Sequence, residues 1–133
     1  MLRDGRVVTI RPLDEADRPA LLAFGRALPH GDLTVYGYRV GPIAYVTDVK
    51  AVPEAARERL AGLDVLVLNA LLPRPHPLHL SIPEAVAAAR AIGARRTLLT
   101  HLTHETPHAE LAASLPAGIE PAYDGLVVDL DAV

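Results

Sequence analysis

Two stretches decide the fold class: Val65-Leu66-Val67-Leu68, which ends in Asn69, and Thr97-Leu98-Leu99-Thr100, which ends in His101. Each is an apolar run of strand length, as a strand covered on both faces requires. Between them, Ser81-Ile82-Pro83-Glu84 has the form of a capping box with proline in the first turn, which predicts a helix running to Gly93. Upstream, Val35 to Val40 and Ile43 to Asp48 are strand-like, joined by Gly41-Pro42, a break of hairpin length. Pro53 opens a short helix over Glu54 to Ala61, closed by Gly62. Downstream, Thr106-Pro107 starts a helix through Leu115 that Pro116 and Gly118 end, and Leu126 to Leu130 reads as the last strand. This alternation predicts an α/β fold with an antiparallel hairpin at its front.

The opening of the chain has a different texture. Val7-Val8-Thr9-Ile10 is a β-branched run, and Arg11-Pro12-Leu13 leads to Asp14, an N-cap for a helix over Glu15 to Leu28. Leu21, Leu22, Phe24 and Leu28 would form its apolar face, with the regular part starting near Pro19.

Composition narrows the function classes. The 133 residues suit one small domain, and 50% hydrophobic content excludes a disordered tail. Sixteen acidic against thirteen basic residues give −3, so there is no strong nucleic-acid signature. No apolar run approaches the ~18 residues of a membrane span, and Met1-Leu2-Arg3-Asp4 does not open a signal peptide. A soluble cytoplasmic domain without membrane contact is the expectation. With no cysteine, any metal must be held by histidine and carboxylate.

Polar side chains gather where strands end. Thr47-Asp48 follows one strand, Asn69 ends the next and leads to His76 and His79, and His101 ends a third with His104 and His108 behind it. Ligands of open α/β sheets sit beyond the carboxyl ends of parallel strands, so Asp48, Asn69, His79 and His101 would converge if these strands are parallel neighbours. Imidazole and carboxylate suit Zn²⁺ or Mn²⁺, and histidine also suits acid–base work near neutral pH. Each position has a plainer reading. Asp48 could cap a turn, His76 sit solvated between prolines, and His79 bond backbone near Ser81; His104 and His108 could lie at the surface, and Tyr123-Asp124-Gly125 could be only a turn. His101 is the least easily dismissed, because a half-buried imidazole needs a partner.

Six segments in order resemble metallo-β-lactamase-fold hydrolases over residues 29–133. They are Pro29-His30-Gly31 before Gly37-Tyr38-Arg39; Ile43-Ala44-Tyr45-Val46-Thr47-Asp48; Leu68-Asn69-Ala70-Leu71; His76-Pro77-Leu78-His79-Leu80-Ser81; Leu99-Thr100-His101-Leu102-Thr103-His104; and Ala122-Tyr123-Asp124-Gly125. The branch resembled is that of phosphoribosyl cyclic phosphodiesterases. The resemblance implies half of an αββα sandwich, a mixed sheet with helices on one face, preceded by the strand-helix segment 1–28. It implies two-metal hydrolysis of a small phosphodiester, with Zn²⁺ or Mn²⁺ as cofactor. His30 matches a ligand of one metal, Asp48 the bridging aspartate, and His101 the ligand of the other. His79 matches the general acid that protonates the leaving oxygen. Asn69, His104 and Asp124 match positions that line the site or meet substrate.

The chain also departs from that family. It has no His-x-His-x-Asp-His segment and no histidine before His30, so each metal would keep at most two protein ligands. The expectation is a truncated domain, weak or inactive alone, whose sheet face is covered by a second copy or by a partner carrying the N-terminal half. A non-catalytic remnant or interaction module and one half of a split enzyme are the alternatives. Residues 1–28 resemble the opening of GNAT acetyltransferases through Leu2-Arg3-Asp4-Gly5, Val8-Thr9-Ile10-Arg11-Pro12-Leu13, Glu15-Ala16-Asp17 and Ala20-Leu21-Leu22. The run Val7 to Leu13 also suits the hydrolase strand leading to His30, with 14–28 inserted. The acetyltransferase-like reading is preferred.

Overall fold

A computed structural model describes residues 22–129. Within them, the strands β1 (Leu22–His30), β2 (Leu33–Val40) and β3 (Ile43–Val46) form an antiparallel meander. From β3 the chain winds in parallel through α1 (Glu54–Arg59), β4 (Val65–Asn69), α2 (Ile82–Ile92), β5 (Arg96–Thr100), α3 (His108–Ser114) and β6 (Ile119–Pro121). The sheet is six-stranded and mixed, with its strands in chain order from β1 to β6. Right-handed crossovers that always step in one direction lay their helices on one face.

Local signals account for most boundaries. The Ser81 hydroxyl accepts the Glu84 backbone N–H, and the Glu84 carboxylate accepts the Ser81 N–H at 2.8 Å, closing the capping box. Gly93 ends α2 at φ 73, a left-handed conformation in which a Cβ would be strained. Both hairpins have two-residue turns with glycine first, Gly31 between His30 and Leu33 and Gly41 between Val40 and Ile43, each at positive φ.

The core lies between sheet and helices. Ala56 and Leu60 of the α1 segment and Ala85, Ala89 and Ile92 of α2 pack on Ala44, Val46, Leu66, Leu68 and Leu99. Leu66, Leu68 and Leu99 are fully buried, each contributing about 1.5–3 kcal/mol of apolar burial. A smaller cluster of Val65 and Leu98, with Ile43, Val67, Ala122, Leu126 and Val128, occupies the opposite face. Beyond it that face carries Tyr45, Val40 and Tyr36, about half exposed at 49%, 50% and 52%.

Two expectations are corrected. The helix read over Glu15 to Leu28 does not hold from Leu22 onward, because these residues are strand β1. Leu22, Phe24 and Leu28 satisfy a strand alternation as well as a helical face, and pairing with β2 selects the strand. A register irregularity between Phe24 and Leu28 hides the alternation, and among the described residues β1 is an edge strand, where Pro29 is tolerated. Because β1 runs to His30, the segment read as 1–28 and the body read as 29–133 share a strand. The terminal strand is Ile119–Pro121, not Leu126 to Leu130. Leu126 and Val128 are spent on covering Val65 and Leu98 and do not extend the ladder. The expected strand Val7 to Ile10, the helix before Leu22 and Leu130 lie outside the described residues. No helix among the described residues is long and apolar enough to cross a membrane.

Candidate metal centre

Three of the six histidines, His30, His79 and His101, gather with Asp48 at the strand ends, and a fourth, His76, packs against His79. His30 is the last residue of β1, Asp48 follows β3 by two residues, His79 lies in the β4–α2 loop, and His101 directly follows β5. Asp48 and His101 adopt φ 57 and 60, and are the non-glycine residues at positive φ among the described residues. Such a conformation costs about 1–3 kcal/mol and persists where surrounding contacts enforce it. Both exceptions fall on side chains that point into one cluster.

Backbone contacts draw these loops together. The Val49 N–H donates to Asn69 Oδ1 at 3.0 Å, and Asn69 Nδ2 donates to the Val49 carbonyl at 3.2 Å. That carbonyl also accepts the Leu80 N–H at 2.9 Å, and the Lys50 N–H donates to the Pro29 carbonyl at 2.7 Å. The neighbours of Asp48, His79 and His30 are therefore tied into one knot. Gly31, at φ 59, lets the turn after His30 pass under Leu78, whose Cδ2 would lie 2.8 Å from an added Cβ.

The side chains are close. His101 Nε2 lies 2.9 Å and His79 Nε2 3.4 Å from Asp48 Oδ1. His30 Nε2 is 3.4 Å from His79 Nε2. The His79 ring stands edge-on to His30 at 4.7 Å between centroids and tilted over His101 at 4.8 Å. His76, read from sequence as a solvated loop residue, adds its ring 5.2 Å from His79 while its Nδ1 accepts the Leu78 N–H.

His79 is the electrostatic centre of the group. Its side chain is only 12% exposed, and burial pushes its pKa below the ordinary imidazole value. The His101, His30 and His76 rings push the same way, and the weaker pull of Asp48 does not reverse them. Its Nδ1 is buried without a hydrogen-bond partner. The polar neighbours of the ring lie on its Nε2 side, 3.4 Å from His30 Nε2 and 3.4 Å from Asp48 Oδ1.

Donor atoms of His30, Asp48 and His79 all lie within 4.8 Å of one another. Ligands about 2.1 Å from one ion stand at most about 4.2 Å apart, so binding would draw these donors slightly closer. Neutral imidazole and carboxylate are a donor set for zinc or manganese, so the residues present fit a divalent ion.

The other expected positions stand apart among the described residues. Asn69 is fully buried and grips backbone. His104 lies in an exposed turn beside Glu105, and Asp124 in the exposed turn at Gly125. His108 starts α3 and stands edge-on to Tyr123 at 5.8 Å. Sequence reading missed Lys50 and Glu84, whose 2.7 Å ion pair braces the loop of His79, with the Lys50 ammonium also 3.5 Å from the His79 carbonyl. The signal available was that Lys50 is the sole lysine beside twelve arginines.

The mixed six-stranded sheet with its helices is the α/β arrangement of metallo-β-lactamase-fold proteins, as comparison with solved structures bears out. The chain belongs to the β-lactamase superfamily: residues 3–102 match the family model of the β-lactamase superfamily domain. That match begins well before β1 and crosses the boundary expected at residue 28. Within the superfamily, the chain is 41% identical to a structure described as a new diphosphatase from the PhnP family, with TM-score 0.78 over 83% of this chain and 44% of that one. The metallo-β-lactamase fold protein YhfI from Bacillus subtilis shares the fold at 22% identity and TM-score 0.63, over 81% of this chain and 52% of its own. Among curated proteins, an octanoyltransferase of Porphyromonas gingivalis (strain ATCC BAA-308 / W83) is 36% identical over 104 residues, 77% of this chain and 21% of that protein. The chain thus spans about a fifth of that relative and about half or less of the two solved structures.

Proposed function

We propose that the cluster is the active site of a metal-dependent phosphoester hydrolase acting on a small phosphodiester or diphosphate. The observation that carries this reading is the meeting of His30, Asp48, His79 and His101 within hydrogen-bonding or ring-contact distance. The 41% identity to a diphosphatase supports the substrate class. His30, Asp48 and His101 would hold Zn²⁺ or Mn²⁺, with Asp48 shared where two ions bind. Such an ion supplies Lewis acidity, drawing charge from a phosphate oxygen and acidifying water.

The chain's own residues do the rest. Asp48 orients His101 through the 2.9 Å contact and offers a second oxygen for a ligand. His79 is the proton carrier: although it stands in the donor group with His30 and Asp48, its unpartnered Nδ1 favours proton transfer over ligation, because metal-bound imidazoles almost always donate their other N–H. Burial keeps it neutral in the resting protein, and an anionic phosphate arriving beside it raises its pKa again. A neighbouring phosphate therefore favours the imidazolium, the form that gives a proton to the leaving oxygen. Arg74, paired through both guanidinium nitrogens with Glu105, clasps the loops that follow β4 and β5.

Three ligands shared between two ions leave positions to fill. The exposed face of Tyr36, Val40 and Tyr45 is where a segment supplying further ligands would lie. The test is direct. Metal content and bis-p-nitrophenyl phosphate hydrolysis are measured with Zn²⁺ and Mn²⁺, alone and with a separately expressed His-x-His-x-Asp-His half. Weak binding and slow turnover alone, rising with the added half and lost in His101→Ala, are expected. His79→Ala should keep the metal and lose about 10²-fold or more in turnover. A folded chain that takes up no ion and hydrolyses nothing under either condition overturns the reading.

A further inference from the structure

We propose that Asn69 is a positioning residue of this centre, which holds Asp48 in its left-handed conformation by gripping both backbone polar groups of Val49. The inference rests on the metal-centre reading, yet its geometric half can be tested without metal. Asn69 is fully buried at the end of β4, and its carboxamide makes two contacts, both to Val49. Oδ1 takes the Val49 N–H at 3.0 Å while Nδ2 gives a hydrogen bond to the Val49 carbonyl at 3.2 Å. A carboxamide that satisfies donor and acceptor of one residue fixes the peptide planes on both sides of it. The plane on the amino-terminal side joins Val49 to Asp48, so this grip sets the ψ of Asp48 and with it the turn that φ 57 begins.

The Val49 carbonyl and the next N–H extend the effect. Leu80 donates to that carbonyl and Lys50 donates to Pro29, so Asn69 sits at the centre of contacts that place the residues beside His79 and His30. The strand pairing carries it to the fourth side chain, because Asn69 is in register with Thr100, the residue before His101. Removing the carboxamide would leave the buried N–H of Val49 without its acceptor. The loop would then relax to a conformation that hydrates that group and turns the Asp48 carboxylate away.

The experiment compares Asn69→Ala and Asn69→Asp with the parent chain. Asn69→Asp keeps an oxygen for the Val49 N–H but replaces the donor with an oxygen facing the Val49 carbonyl, so it remains informative should Asn69→Ala fold poorly. Without metal, the ³J(HN–Hα) coupling and ¹³Cα shift of Asp48 report its φ, and amide exchange reports protection at Val49. Expected are loss of the positive-φ signature and at least tenfold faster Val49 exchange in Asn69→Ala, with an intermediate result in Asn69→Asp. With Mn²⁺ or Zn²⁺, calorimetric titration should show Kd weakened about 10–100-fold in Asn69→Ala. The Asn69→Ala effect should vanish in an Asp48→Ala background. Unchanged Asp48 geometry overturns the proposal, as does altered geometry with parental Kd. Should the parent chain bind no ion, the hydrolase reading falls, and the metal-free measurements alone decide whether Asn69 holds Asp48.

Discussion

At the scale of single residues, Glu84 shows how a charge can be made structural. Its carboxylate receives the Lys50 ammonium and both the N–H and hydroxyl of Ser81, which together hold its pKa down at about 2 against an ordinary 4.5. The unfolded chain binds that proton more readily, so the stabilisation is complete above pH 4.5 and is lost as the pH falls toward 2. Full linkage would amount to about 3 kcal/mol, which solvent screening of a side chain 40% exposed reduces to about 1 kcal/mol. Urea unfolding at pH 6 and pH 3 should therefore show the parent losing about 0.6 kcal/mol more than Glu84→Gln, the part of that linkage which falls above pH 3. The convergence of Asp48, His79 and His101 was legible because each follows or ends a strand or its loop, which is a local pattern. The partners of Asn69 and Lys50 were not, since Val49 and Glu84 are reached through the fold and no spacing announces them.

Elements were legible where their signals are local. The boundaries of β4, α2 and β5 follow from an apolar run, a capping box and a second apolar run. The identity of β1 depends on a partner strand, because Leu22, Phe24 and Leu28 fit either period, and β6 is too short to announce itself. Tertiary contacts likewise finish α1, a helix too short to be stable alone. Arg39 of β2 donates through Nη1 to the Arg59 carbonyl at 2.5 Å and the Ala61 carbonyl at 3.1 Å, and through Nε to Gly41. A guanidinium at a helix carboxyl end satisfies orphan carbonyls and opposes the dipole. Arg39→Met should destabilise the protein by about 1 kcal/mol, lowering Tm by about 4 °C. Hydrogen exchange should show the loss as faster amides in α1 while α2 is unchanged.

At the scale of the whole molecule, the proposed ligands His30, Asp48 and His101 come from three places in the chain, so an ion would add a further tie between the ends of β1, β3 and β5. Anything bound only by the folded state stabilises it, and at a hundredfold excess over Kd the gain is about 2.7 kcal/mol. For a chain of this length that corresponds to roughly 10 °C in Tm. Scanning calorimetry with Mn²⁺ or Zn²⁺ should show a concentration-dependent rise of that order. A chelator should reverse it, and His101→Ala should abolish it. The strands lie side by side in the order in which the ribosome makes them. A nascent chain can therefore zip up one strand at a time, but residue 101 must clear the exit tunnel before residue 30 meets its last companion. If the proposed centre takes an ion, its capture would be a late step of biogenesis, and an emerging polypeptide stalled before β5 would carry its early ligands exposed and unable to hold on to an ion.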